Sequence, residues 1–85
     1  MKTKSQMDEM RALICAGRRK SPHTSFEKGV LSAMGDAARV PSRELRRWSA
    51  KQLDLVQQAL RFEAADTVRE FNTGRRWMLA WIRAP

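Results

Sequence analysis

The sequence has few of the residues that most catalytic and metal sites require. Its 85 residues include one cysteine, Cys15, and one histidine, His23. One cysteine cannot form an intramolecular disulfide, which fits a reducing compartment, so we expect a cytoplasmic protein. No Cys, His, Asp or Glu spacing resembles a zinc site, and there is no phosphate-binding glycine motif. We therefore expect no metal, no cofactor and no enzymatic activity.

Long apolar runs and strand patterns are also missing. The longest apolar run extends only from Trp77 to Ile82, which is too short to cross a bilayer. The first residues, Met1-Lys2-Thr3-Lys4, lead into polar side chains rather than the apolar core of a secretory signal. No segment alternates apolar and polar residues long enough to form a strand. The chain is thus predicted to be all-α and not to span a membrane.

Acidic residues are scarce relative to basic ones. The chain has 17 Lys and Arg against 9 Asp and Glu, a formal net charge of +8, and a pI near 11.1. Such an excess favours an anionic partner, of which nucleic acid is the most usual. An acidic protein is the other candidate. No membrane partner is expected, because the tail, 75–83, is short and lacks the broad polar face of an interfacial helix.

Length and periodicity predict one small helical bundle. Residues 1–85 correspond to a single domain, in which residues 1–4 are expected to fray. Four to five helices are predicted. The first covers about 6–16, with Ser5 as its N-cap and Gly17 as its stop.

The second predicted helix covers about 25–38. Thr24 followed by Glu27 is a capping-box pattern, and Pro41 disfavours helical backbone at Val40. A short basic helix is predicted over 43–48 after Ser42. A further capping pattern, Ser49 with Gln52, leaves open whether a new helix begins there or the two fuse.

The longest helix is predicted over about 50–72. Apolar residues recur along it with helical spacing, and Asn72-Thr73-Gly74 resembles a C-terminal stop. The tail, 75–83, is then predicted to be a separate docked helix containing Trp77 and Trp81. We expect these tryptophans and Trp48 to pack in the core rather than stack on bases.

The clearest functional pattern is a cluster of arginines. Arg43, Arg46 and Arg47 follow one another at i, i+3 and i+4, which places them on one helix face, while Leu45 and Trp48 point to the core. Arginine contacts phosphates and guanine edges, and a helix fits the major groove. We interpret this face as the main nucleic-acid contact; the alternative is that these arginines are only the solvated side of an amphipathic helix. Candidate backbone contacts are Arg18, Arg19, Lys20 and Arg39.

Residues 26–48 loosely resemble a helix-turn-helix. An apolar helix is followed by a break at 39–41 and then by a short basic helix. The turn departs from the usual pattern, because Pro41 and Ser42 occupy positions where a small residue, a glycine and an apolar residue are normally spaced.

The longest predicted helix carries a second apolar stripe, consisting of Leu55, Ala59 and Phe62. This apolar stripe either packs on the second helix or forms a dimer surface. A two-fold axis at such a surface would place two arginine faces on one duplex.

The sequence therefore favours a small basic nucleic-acid-binding protein. Duplex DNA is favoured over RNA, and the expected role is that of a transcription regulator or accessory factor, acting as a possible homodimer. The alternative is a small inhibitor or adaptor whose basic face docks on an acidic protein.

Overall fold

The fold is a bundle of helices, as the sequence predicts. We describe it from a computed structural model that covers residues 1–17, 23–62 and 65–85. Within these ranges there are four α-helices, one short 3-10 turn and no strand. In chain order the elements are α1 (Lys4–Ala16), α2 (Ser25–Arg39), the 3-10 turn (Ser42–Glu44), α3 (Leu45–Phe62) and α4 (Asp66–Arg83).

Side-chain capping boxes begin the first two helices. The prediction is confirmed for α2, where the Thr24 hydroxyl accepts the Glu27 N–H at 3.2 Å. For α1 the predicted Ser5 cap is wrong, because Thr3 and Gln6 form the box instead. The Gln6 side chain accepts the Thr3 N–H at 2.9 Å, so α1 begins before Ser5 and ends at Ala16, next to Gly17.

The N-terminal residues, for which fraying is expected from the sequence, lie against the ends of two other helices. The backbone N–H of Lys2 donates to the Ile82 carbonyl at 2.8 Å. The ammonium of Lys4 donates to carbonyls at the C-terminus of α2, among them those of Ala37 at 2.6 Å and Ala38 at 3.0 Å. A cation at this end of a helix satisfies unpaired carbonyls and complements the helix dipole.

The short basic helix and the helix that follows it are fused. The 3-10 turn, closed by the Glu44 N–H on the Pro41 carbonyl at 2.9 Å, leads directly into α3. Ser49 begins no new helix. It lies inside α3, fully buried, and its hydroxyl donates to the Arg46 carbonyl at 3.1 Å.

The predicted division of the C-terminal half is wrong in two places. Instead of one helix over 50–72, α3 ends at Phe62 and α4 begins at Asp66, after Ala65 in extended backbone (φ −79°, ψ 124°). The expected stop at Gly74 does not exist, because α4 continues through it to Arg83. Both α3 and α4 have 18 residues, so no single helix is the longest.

Gly74 is needed for a close helix crossing rather than for a stop. A Cβ at Gly74 would overlap the carbonyl group of Phe26 on α2, and a Cβ at Gly29 on α2 would overlap that of Phe71 on α4. The two glycines are therefore reciprocal, and they let the backbones of α2 and α4 approach each other closely.

α4 is the central helix of the bundle. It packs against both α2 and α3, while α1 packs on α2. The interior contains mainly aliphatic side chains and methionines from all four helices: Met7, Val30, Ala33, Met34, Ala37, Leu45, Met78, Leu79 and Ile82. Trp48 and Trp81 pack against this core, as predicted, whereas Trp77 is 45% exposed.

One ion pair joins α2 to α4. The guanidinium of Arg75 donates to Asp36 at 3.0 Å and to the Ser32 hydroxyl at 2.8 Å. No described helix is long and apolar enough to cross a bilayer.

Candidate functional site

A row of three cations crosses the exposed side of α3 and the turn before it. Arg43, Arg47 and Lys51 are spaced four residues apart, so each is turned only about 40° from the last. Together with Glu44 and Trp48 they line a shallow hollow of about 460 Å³. We refer to Arg43, Arg47 and Lys51 as the basic row.

Arg46 lies beside the basic row rather than within it. It is turned by about 100° from Arg47 around the helix, and with Arg43 it lines a second hollow at the N-terminus, which also contains Lys2 and Lys4. The three predicted arginines are therefore neighbours on the surface. Arg43, in the 3-10 turn, lines both hollows, whereas Arg46 and Arg47 line one each.

The buried side of the same helical turn fixes the position of these arginines. Leu45 is 4% exposed, and the buried hydroxyl of Ser49 accepts an N–H of Arg83 from α4 at 3.1 Å. The same guanidinium donates to the Arg46 carbonyl at 2.7 Å. The first turn of α3 is thus anchored on α4, and its outward side chains project from a fixed backbone.

The cations of the basic row form no ion pair within the described part of the chain, although Glu44 lines the same hollow. The side chains of Arg43, Arg47 and Lys51 are all exposed. Asp54 lies further along the same side of α3, where it accepts a hydrogen bond from Gln58 at 2.9 Å.

Of the predicted contacts to the nucleic-acid backbone, only Arg39 lies among the described residues. Arg39 is exposed but pairs with Asp36 at 3.3 Å, so its charge is partly offset. Arg18, Arg19 and Lys20 lie outside the described residues.

A second group of arginines, missed at the sequence level, meets between α3 and α4. The pocket is about 620 Å³ in volume, and we call it the α3/α4 pocket; its lining is Gln57, Leu60, Arg61, Arg69, Thr73 and Arg76. Lys51 was missed as well, although its spacing of four residues from Arg47 signals its place in the basic row. The α3/α4 pocket had no such signal, because it depends on how the two helices pair.

The apolar stripe on α3 remains uncovered. Phe62 is 86% exposed, Leu55 is 49% exposed, and Ala59 is also exposed. The alternative that this stripe packs on α2 is therefore wrong. Helices α2 and α3 both pack on α4 instead of mainly on each other. The resemblance of residues 26–48 to a helix-turn-helix therefore does not extend to the packing of the helices.

The residues considered for chemistry lie apart from the basic row. His23 lies 3.5 Å from Glu27 at the start of α2, and Cys15 is exposed on α1. Within the described ranges no three His, Cys, Asp or Glu side chains are grouped to hold a metal ion.

No protein-family model, curated protein or solved structure matches this chain.

Proposed function

We propose that the protein binds nucleic acid, with duplex DNA as the favoured form, through the basic row and Arg46. The observation that carries this proposal is that three exposed cations lie side by side and none of them forms an ion pair with a described residue, although Glu44 lines the same hollow. Elsewhere in the fold, the mostly buried Arg75 is paired with Asp36. Unpaired guanidinium groups on a rigid helix suit contacts to phosphates.

The geometry fits a helix presented to a duplex. The positive end of the α3 dipole lies at the same end of the helix as Arg46 and Arg47, so it adds to the attraction for phosphate. An exposed helix face of this kind can enter the major groove, where arginine reads guanine. We assign the protein a regulatory or accessory role at DNA in the cytoplasm, acting as a homodimer through the apolar stripe.

The test is a salt titration of binding to a random duplex, followed by fluorescence anisotropy. Replacing Arg46 and Arg47 together by alanine should weaken binding and lower the slope of log K against log salt by about 1.8, since each lost phosphate contact removes about 0.9. The matched control is Arg11→Ala with Lys28→Ala, which removes two exposed cations from other helices.

The control should leave affinity and slope nearly unchanged. Equal losses in both double variants would mean that only net charge matters, and the proposed site would be wrong. Circular dichroism spectra of both variants establish that they are folded.

A second candidate function is binding of an acidic protein. The observation that favours it is the exposure of Phe62 and Leu55 on the helix that carries the basic row, because protein-binding surfaces combine apolar and arginine side chains. No binding to random duplex, even at low salt, would favour this inhibitor or adaptor role.

A further inference from the structure

The α3/α4 pocket brings together three guanidinium groups from two antiparallel helices. The antiparallel pairing follows from two contacts: Arg83 lies at Arg46, near the start of α3, and Arg69 reaches the Leu60 carbonyl, near its end, at 3.5 Å. Arg69 and Arg76 are seven residues apart, so they lie on one side of α4, two turns from each other. Arg61 faces them from α3.

The arrangement of charge in the α3/α4 pocket calls for an anion. None of the described residues that line it is acidic. Arg61 and Arg76 are exposed and form no ion pair with a described residue. Like charges held near one another repel, and a bound anion removes that repulsion. The neighbouring Arg75 shows the contrast, since it is 13% exposed and pairs with Asp36 across the α2–α4 interface.

The polar groups of the pocket favour an anion with several oxygens. The hydroxyl of Thr73 already donates to the Arg69 carbonyl at 2.8 Å, so hydrogen-bond donation to a ligand falls to the guanidinium groups of Arg61 and Arg76 and to the amide of Gln57. Planar guanidinium groups match the oxygens of phosphate in pairs. The volume of about 620 Å³ has room for a chain of phosphates as well as for a single one.

We propose that the α3/α4 pocket is a phosphate-binding site in which Arg61 and Arg76 are the contacts. The phosphate can come from a free polyphosphate or from the backbone of a nucleic acid. This proposal does not depend on the basic row, which lies on the first turns of α3 and lines different hollows.

The experiment measures tripolyphosphate binding to the full chain by isothermal titration calorimetry at low salt. Arg61→Gln with Arg76→Gln should weaken binding at least tenfold. The control, Arg11→Gln with Lys28→Gln, removes the same charge from exposed positions on α1 and α2 and should change binding less than twofold. All four positions are exposed, and thermal unfolding checks that both variants fold.

A parallel titration with a random duplex distinguishes the two sources of phosphate. Loss of tripolyphosphate binding alone assigns the α3/α4 pocket to a free polyphosphate, and loss of binding to both ligands assigns it to nucleic-acid phosphate as well. Either result supports the site.

The proposal is overturned if tripolyphosphate does not bind, or if the control weakens binding as much as the pocket variant. The Arg46/Arg47 variant tests the proposed function separately. If duplex binding is insensitive to that variant while tripolyphosphate binding depends on Arg61 and Arg76, the proposed function fails and the phosphate site stands.

Discussion

Alanine at the crossing of α2 and α4 should destabilise the protein, although alanine normally stabilises a helix. A Cβ at Gly29 would lie 2.8 Å from the carbonyl carbon of Phe71, and a Cβ at Gly74 would lie 2.9 Å from that of Phe26. In both cases the obstructing atoms belong to the backbone, which cannot rotate away as a side chain can. The two helices must therefore move apart, and the core between them loses contacts.

The size of the effect is a difference between two opposing terms. Replacing glycine by alanine inside a helix gains about 1 kcal/mol, whereas overfilling a packed interior costs about 1–3 kcal/mol and occasionally more. A clash with rigid backbone belongs at the upper end, so each single substitution should lower the free energy of unfolding by about 2 kcal/mol. For a domain of this size that corresponds to a fall in Tm of about 8–16 °C.

Gly35 provides the matched control within α2. A Cβ there meets nothing closer than a guanidinium nitrogen of Arg39 at 4.0 Å. Gly35→Ala should therefore raise stability by up to about 1 kcal/mol through helix propensity alone. Urea unfolding followed by far-UV circular dichroism measures all the variants, with linear extrapolation to water.

The double variant Gly29→Ala with Gly74→Ala gives the sharpest check. One separation of the helices relieves both clashes, so the combined loss should be smaller than the sum of the two single losses. If Gly29→Ala proves as stabilising as Gly35→Ala, the two helices do not approach as closely as described, and the reasoning fails.

Two further predictions concern the α2–α4 ion pair and the apolar stripe. Asp36→Ala should lower the free energy of unfolding by about 2–3 kcal/mol, because it leaves the mostly buried Arg75 with only Ser32 as a partner. Arg75→Met should lower it by about 1 kcal/mol, because Asp36 is 41% exposed and can be hydrated. Urea unfolding measures both variants, and equal losses of stability would contradict this account. Leu55→Gln with Phe62→Gln should leave the stability of the monomer within about 0.5 kcal/mol of wild type, since both side chains are exposed, and should shift sedimentation from dimer to monomer. A wild-type chain that sediments as a monomer at all concentrations would contradict the dimer.

Local signals in the sequence were enough for the class of the fold and for several helix ends. Hydrophobic spacing predicts helices throughout, and the pairing of Thr24 with Glu27 marks the start of α2 correctly because a capping box involves only neighbouring residues. The choice between Thr3 and Ser5 for α1 was harder, since both residue types cap well. Thr3 has a glutamine three residues later that completes the box, and this glutamine is the local signal that distinguishes Thr3 from Ser5.

The errors in the C-terminal half have a non-local cause. Glycine after a polar pair is a typical stop, yet Gly74 lies within α4 because the backbone of α2 passes over it. The opposite error occurred at the start of α4. The residues Glu63-Ala64-Ala65 include neither glycine nor proline, so no local signal marks the boundary between α3 and α4.

The candidate site likewise has one part that local spacing predicts and one part that depends on how the helices pair. Arg43, Arg46 and Arg47 could be predicted as neighbours because they belong to one stretch of chain with helical spacing. Arg61 and Arg76 come from different helices, and only the antiparallel pairing of α3 with α4 brings them to one pocket. Predicting that pairing would have required the correct boundary between the two helices, which the sequence did not indicate.

The distance between the basic row and the arginines of the α3/α4 pocket limits which ligands can contact both. Arg47 and Arg61 are 14 residues apart in the sequence, so they lie about 21 Å apart along the helix and within about 40° of the same direction. That distance corresponds to about six base-pair steps along a duplex, whereas a tripolyphosphate is far too short to reach both. A ligand that engages both Arg47 and Arg61 must therefore be a polymer, and a ligand confined to one of them can be small. Dependence of duplex binding on both groups, with tripolyphosphate binding dependent on the pocket alone, would identify α3 and its pairing with α4 as one continuous nucleic-acid surface.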